Sequence, residues 1–169
     1  MRPKKLCFWM VLGIGLTLWF LFFYPSVRVL RLVPYPADAP LGYIRVSRGE
    51  TFTIGFIHSV NRRPVWDTLR VEENGLVIVS SRFDAFGAGM PETTNAEGTL
   101  RTLPDGTLLW TVDRPVPAVT LRIGWTADHT LSIRGKTLRL AELVEPGKAL
   151  TLDVNTMSWF EMMKGHRLL

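Results

Sequence analysis

The chain is poor in the residue types that usually build a catalytic or metal site. Its 169 residues include one cysteine and three histidines. A single cysteine, Cys7, excludes an intrachain disulfide. His58, His129 and His166 are too widely separated in the sequence to suggest a zinc site. The sequence therefore gives no reason to expect a metal or a cofactor.

A nucleophile in its usual surroundings is also missing. No Gly-x-Ser-x-Gly elbow occurs, and no oxyanion device accompanies Ser59. His58 and Ser59 are neighbours, so on a strand their side chains point to opposite faces and cannot form a nucleophile–base pair with each other. That restriction is relaxed at a strand end or in a turn. We expect no catalytic residues and a protein that is not an enzyme.

Acidic residues are absent before Asp38, and their absence explains the net charge of +5. Of the 20 lysines and arginines, five precede Asp38, so the remaining 15 balance the 15 aspartates and glutamates. A nucleic-acid-binding domain would need a surplus of positive charge on its folded part to neutralise phosphates. Nucleic acid is therefore excluded as a partner.

The most informative feature that is present is a charge-free apolar run, Leu6–Tyr24, which follows a basic tail over residues 1–5. As a helix, this run would span roughly 28 Å, close to the roughly 30 Å hydrocarbon core of a bilayer. A cleavable signal would need small residues soon after the run, but the nearest pair, Ala37 and Ala39, is distant and would place Pro40 after the cut. We therefore expect an uncleaved transmembrane signal anchor over residues 6–24.

The flanking cations predict the orientation of that anchor. Three basic residues precede the run, whereas two, Arg28 and Arg31, follow it. Such an excess favours an N-terminus inside and the bulk of the chain outside. We expect a single-pass protein of the inner (cytoplasmic) membrane, with its C-terminal domain in the periplasm or outside.

Four prolines punctuate the stretch after the anchor, at positions 25, 34, 36 and 40. Proline interrupts regular helix and stiffens linkers. We therefore expect a proline-rich spacer over residues 25–40, followed by an extracytoplasmic β-domain over residues 41–169.

The pattern of this domain is all-β. Short segments rich in Val, Ile, Thr and aromatic residues alternate with turn residues every eight to twelve positions, which predicts an antiparallel sandwich or a partly closed barrel. The expected strands are Leu41–Ser47, Thr51–Val60, Val65–Glu73, Leu76–Asp84, Thr99–Leu103, Leu108–Asp113, Ala118–Trp125, Leu131–Arg134, Thr137–Leu143 and Leu150–Val154.

Two hairpins are signalled by their turn residues. Asn74-Gly75 suits a type I′ turn and Gly135-Lys136 a type II′ turn. If Glu73 pairs with Leu76 in the first hairpin, Asp67 faces Arg82 across the strands. Asp67 is then either half of a surface ion pair or a functional carboxylate.

A short helix is expected near the C-terminus. Ser158 and Glu161 fit a capping box and Gly165 fits a helix stop, which places the helix over Trp159–Lys164. Its aromatic and methionine side chains pack over an open end of the β-domain, or else rest on lipid or on a partner's membrane subunit. Two turns are too short to be stable without such support.

Two motifs remain, and together they carry a family resemblance. His58-Ser59-Val60 ends a predicted strand, Asp67 follows seven residues after Val60, and Phe86-Gly87-Ala88-Gly89-Met90-Pro91 comes after the first hairpin. In this order and separation they resemble the uncharacterised bacterial family called domain of unknown function 1850, over roughly Ile44 to Val154. Acidic residues are common in that family at the positions of Asn61 and Asp67, and Asn61 departs from this pattern.

The resemblance implies no known activity, but it implies a gene neighbourhood shared with tripartite ATP-independent periplasmic (TRAP) transporters of the TAXI type. The candidate residues for ligand or partner binding are His58, Ser59, Asn61, Asp67, Gly87, Gly89, Met90 and Pro91. His58 serves as a structural hydrogen-bonding group, a ligand contact or a catalytic residue. The two glycines serve a bend, or a loop whose free amides hold a polar ligand.

Three classes of function stay open on the sequence alone. The first is a membrane-anchored extracytoplasmic binding or accessory protein that assists a TAXI-type TRAP solute transporter, with an unknown small-molecule ligand. The second is a structural or assembly factor of the envelope without a ligand. The third is a hydrolase that uses His58 and Asp67. We expect the first, with no metal and no cofactor.

Overall fold

The computed structural model describes the backbone of residues 3–37 and 39–169, and the side chains of residues 9–37 and 39–169. Helix α1 spans Pro3–Phe23 and helix α2 spans Trp159–Lys164, with a 3-10 turn at Leu140–Glu142. The strands are β1 Val27–Tyr35, β2 Gly42–Arg45, β3 Thr51–Ile57, β4 Pro64–Val71, β5 Leu76–Phe83, β6 Thr99–Thr102, β7 Leu108–Val116, β8 Ala118–Arg122, β9 Thr130–Ile133, β10 Lys136–Arg139 and β11 Ala149–Met157.

These strands form two antiparallel sheets of unequal size. The smaller has the order β2-β1-β11-β8, and the larger has the order β10-β9-β3-β4-β5-β7-β6. Neither sheet closes into a barrel within the described residues. The all-β class expected from the sequence is therefore confirmed, and of the two expected architectures the structure has the sandwich.

The main core lies between the two sheets. Alternating apolar residues of each strand point inward, as the two-residue period of a strand requires. Fully buried side chains from the smaller sheet meet fully buried side chains from the larger one; they include Leu30, Leu32, Ile44, Leu150 and Leu152 on one side and Phe52, Ile54, Leu69 and Leu131 on the other.

The expected spacer over residues 25–40 is wrong, because strand β1 occupies most of it. β1 pairs with β11 along its whole length and with β2 over Val29–Leu32. Leu30 and Leu32 point into the core, whereas Arg31 between them forms an ion pair with Asp153. Pro34 lies beyond the segment that pairs with β2, where a missing N–H is tolerated. The β-domain therefore begins near residue 27 rather than at residue 41.

The first hairpin departs from its expected turn. Val71, not Glu73, pairs with Leu76, so residues 72–75 form a four-residue loop instead of a two-residue type I′ turn. Gly75 is needed there because a Cβ would stand 2.8 Å from the carbonyl oxygen of Val116.

A bulge further along this hairpin decides what faces Asp67. The four-residue loop alone would place Asp67 opposite Ser80, and the register shift between Thr68 and Leu69 moves it by one residue, opposite Ser81. Neither register brings Asp67 opposite Arg82. Arg82 instead forms an ion pair with Asp105, at 2.6 Å. The expected Asp67–Arg82 ion pair is therefore wrong.

The second hairpin turns one residue earlier than expected. Ile133 pairs with Lys136, so the loop is Arg134-Gly135, with both φ angles positive at 52° and 73°. Positive φ at both positions is typical of a type I′ turn, not of the type II′ turn expected at Gly135-Lys136.

Helix α2 has the bounds and the capping box expected from the sequence. The Ser158 hydroxyl accepts from the Glu161 N–H, and the Glu161 carboxylate accepts from the Ser158 N–H. Met162 is buried beside Val29 and Tyr43, whose hydroxyl donates to the Met162 carbonyl at 2.9 Å. The helix is therefore held against one end of the smaller sheet.

Helix α1 ends next to α2. The rings of Phe23 and Phe160 are 4.8 Å apart, and Phe22 also lies against Phe160. The described side chains of α1 are otherwise largely exposed, including Trp9 and Trp19 at 60% and 61%. Among the described residues, no helix reaches the combination of length and hydropathy that a membrane crossing requires.

The role of β1 in the core predicts the effect of Leu32→Ala. A fully buried leucine loses its transfer free energy and leaves a cavity, so the free energy of unfolding should fall by about 2–5 kcal/mol. Urea unfolding of the full chain in a neutral detergent measures the change. Leu41→Ala, at a leucine that is 37% exposed, is the control and should cost far less. A Leu32→Ala effect below about 0.5 kcal/mol is the value of a surface site and would contradict this fold.

Candidate functional site

The larger sheet extends beyond the smaller one, and this mismatch creates a second core. Val65, Phe83 and Trp110 are buried on the inner face of β4, β5 and β7, and no residue of the smaller sheet belongs to their cluster. Met90 and Leu100 are packed against it. The segment between β5 and β6, residues 84–98, therefore covers the part of the sheet that the smaller sheet leaves open.

A half-open cavity of about 710 Å³ lies beside this second core. Its floor comes from β5 and β7, and its wall comes from the covering segment. The floor residues are Ile78, Ser81, Trp110, Val112, Asp113, Arg114 and Pro115, and the wall residues are Gly89, Met90, Pro91, Asn95 and Glu97. Three of the candidates named from the sequence, Gly89, Met90 and Pro91, thus line the cavity.

The glycine motif has the tight backbone that this wall requires. The Met90 N–H donates to the Gly87 carbonyl at 3.0 Å, which closes a turn, and Gly89 has a φ of 79°. A Cβ on Gly87 would lie 2.8 Å from Asn61 Nδ2. Glycine is therefore needed at position 87 for close approach and at position 89 for positive φ.

Asn61 joins the wall to the hairpin between β3 and β4. Its amide nitrogen donates to the carbonyl oxygens of Phe86 and Ala85 at 3.1 and 3.4 Å, and its amide oxygen accepts from the Arg63 N–H at 3.1 Å. Arg63 also forms an ion pair with Asp84, the first residue of the covering segment. Two of the sequence candidates, Asn61 and Gly87, therefore meet each other directly.

His58 and Ser59 do not line the cavity. They lie in the same hairpin as Asn61, where His58 Nδ1 accepts from the Val60 N–H at 3.3 Å and the His58 N–H donates to the Arg63 carbonyl at 2.9 Å. Ser59 is exposed. These contacts shape the hairpin that presents Asn61.

Asp67 lies beside the cavity floor, on the neighbouring strand β4. It is on the same face of β4 as Val65 and Leu69, and the Ser81 hydroxyl donates to its carboxylate at 2.6 Å. Burial raises the pKa of the Asp67 carboxyl above its ordinary range, while the Ser81 hydrogen bond and the positive charge of Arg114 oppose that rise. Asp67 therefore contributes to the site through Ser81, a residue that does line the cavity.

Within the described part of the chain, the cavity lining holds one cation, Arg114, and two acidic residues, Asp113 and Glu97. Arg114 has no hydrogen-bond or ion-pair partner among the described residues, although its charge acts on Asp67, whereas Asp113 is paired with Arg70 at 3.0 Å. Trp110 and Met90 provide apolar surface in the same cavity. The arrangement suits a small molecule with an apolar body and an anionic group.

Sequence reasoning missed the whole floor of the cavity, including Ser81, Trp110 and Arg114. Arg114 alternates regularly with Trp110 along β7, but it lies one residue beyond the strand end expected at Asp113. Ser81 reaches the inner face only because the ladder between β5 and β7 is irregular between Ile78 and Ser80. No local pattern marks that irregularity. The two-residue alternation of β7 predicts that Trp110 points inward, so the sequence indicates a core residue at this position. It does not indicate that Trp110 lines a cavity.

The described residues place no group of three or more His, Cys, Asp or Glu side chains where they could hold a metal ion. Neither His58 nor Asp67 lines the cavity: His58 lies in the hairpin between β3 and β4, and Asp67 lies on β4 beside Ser81. Among the described residues no hydrogen bond joins His58 to Asp67, so the pair that a hydrolase would use is not formed.

Comparison with known protein families gives one match. The model of a domain of unknown function, DUF1850, matches residues 52–140, more than half of the 169-residue chain. The chain therefore belongs to the DUF1850 family, as its two motifs indicated. The match spans β3 to β10 and includes the hairpin, the wall and the cavity floor. Searches of curated proteins and of solved structures each found no match.

The environment of Asp67 predicts how Asp67→Asn changes stability with pH. Because its folded pKa is raised, the native state keeps the proton to higher pH than the unfolded chain does. The contribution of this group to stability is therefore full at low pH and is lost as the pH rises from about 4 through the folded pKa. Asparagine does not titrate, so the stability of Asp67→Asn relative to wild type should rise over that range and then level off.

Urea unfolding of the full chain at steps between about pH 4 and about pH 8 measures this difference. Glu92→Gln, which removes an exposed carboxylate of the covering segment, is the control and should show no such rise. A stability difference for Asp67→Asn that stays constant or falls with pH would mean that Asp67 is not held in a desolvated site.

Proposed function

We propose that this chain is a membrane-anchored extracytoplasmic binding protein that holds a small organic anion in the cavity beside the second core. The observation that carries the proposal is the unpaired guanidinium of Arg114 in a cavity that also presents Trp110 and Met90. A guanidinium donates two parallel hydrogen bonds to a carboxylate, and the apolar walls take up the rest of the molecule. Asn95 and Ser81 offer further polar contacts that would orient it.

The proposed anchor is the apolar run Leu6–Tyr24. The run begins three residues before the first described side chain and contains no charged residue. Helix α1 covers all but its last residue, and large apolar side chains such as Leu16 and Phe20 are more than half exposed. Surfaces of this kind are covered by lipid or by another protein. The basic residues before the run favour export of the domain.

The proposed partner is a TAXI-type TRAP transporter, which the domain would assist in solute uptake. This part of the proposal rests on membership of the DUF1850 family and on the gene neighbourhood that the resemblance implies. A domain held next to the membrane with an anion-binding cavity has the chemistry that such an accessory role requires.

A second candidate is a structural or assembly factor of the envelope. It is favoured because the glycine motif has a structural role. Asn61 fills the space beside Gly87, and Met90 packs on the second core. In that case the cavity has no physiological ligand. A hydrolase that uses His58 and Asp67 has no comparable support, because no hydrogen bond joins these two residues within the described part of the chain.

Arg114→Gln tests the cavity. Phenylacetate is a suitable probe because it joins a carboxylate to an aromatic body, and its neutral amide, phenylacetamide, differs from it mainly in charge. We expect the full chain in neutral detergent to bind phenylacetate more tightly than phenylacetamide in calorimetric titration. Arg114→Gln should remove most of that preference, by about tenfold in affinity.

Arg101→Gln is the matched control, since it removes an exposed arginine of β6 that does not line the cavity. Equal binding of the two probes by wild type, or the same loss in both variants, would favour the structural alternative over a binding protein.

Export of the domain predicts the behaviour of a reporter fused after Leu169. A reporter that is active only outside the cytoplasm should be active there, and a cytoplasmic reporter at the same point should be silent. Fusion after residue 169 keeps β11 and α2 whole. Replacement of Arg2, Lys4 and Lys5 by Gln should weaken the export signal, because these cations favour an inside N-terminus. The reverse reporter pattern would place the domain in the cytoplasm.

A further inference from the structure

A second site, separate from the cavity, lies where the chain leaves α1. A groove of about 320 Å³ is lined by Val27, Arg28, Arg45, Val46, Ser47, Arg134 and Arg167. Four of these seven residues are arginines, and no acidic residue lines the groove. We call this feature the arginine groove.

Four distant parts of the chain supply the arginines. Arg28 stands near the start of β1, Arg45 at the end of β2 and Arg134 in the turn between β9 and β10. Arg167 arrives through the segment after α2, which runs beside β2: the Tyr43 N–H donates to the His166 carbonyl at 2.9 Å. The fold therefore concentrates positive charge that is dispersed in the sequence.

Two of the four guanidinium groups, those of Arg28 and Arg45, have no carboxylate partner among the described residues. Arg134 is neutralised by both oxygens of Glu50 at 2.6 and 2.7 Å. Arg45 lies 5.2 Å from the centre of the Trp159 ring, and Arg167 donates at 2.6 Å to the terminal oxygen of Leu169, the last residue of the sequence. The Nε of Arg28 is buried and has no acceptor within the described residues. Like charges held this close repel one another, and a bound anion relieves that repulsion.

We propose that the arginine groove binds a phosphate group. Arginine is the side chain best suited to phosphate, because its planar fork donates parallel hydrogen bonds to two oxygens. A tetrahedral phosphate presents oxygens in several directions and matches guanidinium groups that converge from separate strands. The Ser47 hydroxyl lies in the same groove and adds a neutral donor.

The position of the groove favours the headgroup of an anionic lipid as the source of that phosphate. Arg28 follows the end of α1 by five residues, and α2 beside it exposes Trp159 at 45% and Met163 at 76%. An exposed tryptophan near basic side chains is typical of a membrane interface. The preference for a lipid headgroup rests on the proposed anchor. Recognition of the phosphate itself does not, because a free phosphate ester presents the same oxygens to the groove.

Calorimetric titration of the full chain in neutral detergent tests the proposal with three probes. Dihexanoylphosphatidylglycerol carries the lipid phosphate, glycerol 3-phosphate carries a free one, and dihexanoylglycerol carries none. The test variant is Arg45→Gln with Arg167→Gln, and the control is Arg62→Gln with Arg101→Gln, which removes the same charge outside the groove. We expect the test variant to bind the phosphate probes at least about tenfold more weakly and the control to stay within about twofold of wild type.

Tighter binding of the phospholipid than of glycerol 3-phosphate supports a lipid headgroup, and comparable binding supports a free phosphate ester. Three results would overturn the proposal. The wild type binds none of the phosphate probes, it binds dihexanoylglycerol as tightly as the phospholipid, or both double variants lose the same affinity for the phosphate probes. Thermal unfolding checks that each variant is folded. If the test variant is not, Arg167→Gln alone replaces it, since Arg167 is exposed. The export reporter and the phenylacetate titration do not depend on these arginines, so failure here is distinct from failure of the proposed function.

Discussion

The antiparallel pairing of β1 with β11 is the constraint on which the rest of the molecule depends. The ladder runs without interruption from Val27 opposite Met157 to Tyr35 opposite Ala149. Its inward leucines form one wall of the main core, and its outward Arg31 and Asp153 form two hydrogen bonds at 2.8 and 2.7 Å. Because β1 follows α1 and β11 precedes α2, the same ladder brings the two helices to one end of the domain.

The unequal width of the two sheets has a different consequence. The main core lies where the smaller sheet covers the larger one. The inner face of β5 and β7 extends beyond the smaller sheet and carries the second core. Residues 84–98 fold over that face, and the Gly87–Asn61 contact fixes where they lie. The motif that identifies the family thus serves the fold, and in doing so it forms the wall of a cavity. Structural and binding roles of these residues are therefore not exclusive.

Most of the strands, the sandwich class and helix α2 were predictable, whereas β1 and two turns were not. Prolines at positions 25, 34 and 36 weighed against a strand. Pro25 precedes β1, Pro36 follows it, and Pro34 lies beyond the segment of β1 that pairs with β2. The hairpin at residue 75 was placed correctly but its register was not, since turn residues indicate where a chain reverses and not which residues pair. In the candidate site, Asn61 and the glycine motif were named from the sequence. Ser81 was not, because an irregular ladder decides which way it faces, and Arg114 lies beyond the strand end expected at Asp113.

The sequence by itself determined what is encoded within a few neighbouring residues: the two-residue alternation of the strands, the Ser158–Glu161 capping box and the placement of an excess of basic residues before Asp38. These features depend on backbone preference and local hydrogen bonding, which act over one or two turns of chain. Only the tertiary structure decided that Asp67 faces Ser81 and that Arg28, Arg45, Arg134 and Arg167 share one groove. Those outcomes depend on bulges and on strand order, and packing between distant segments selects both.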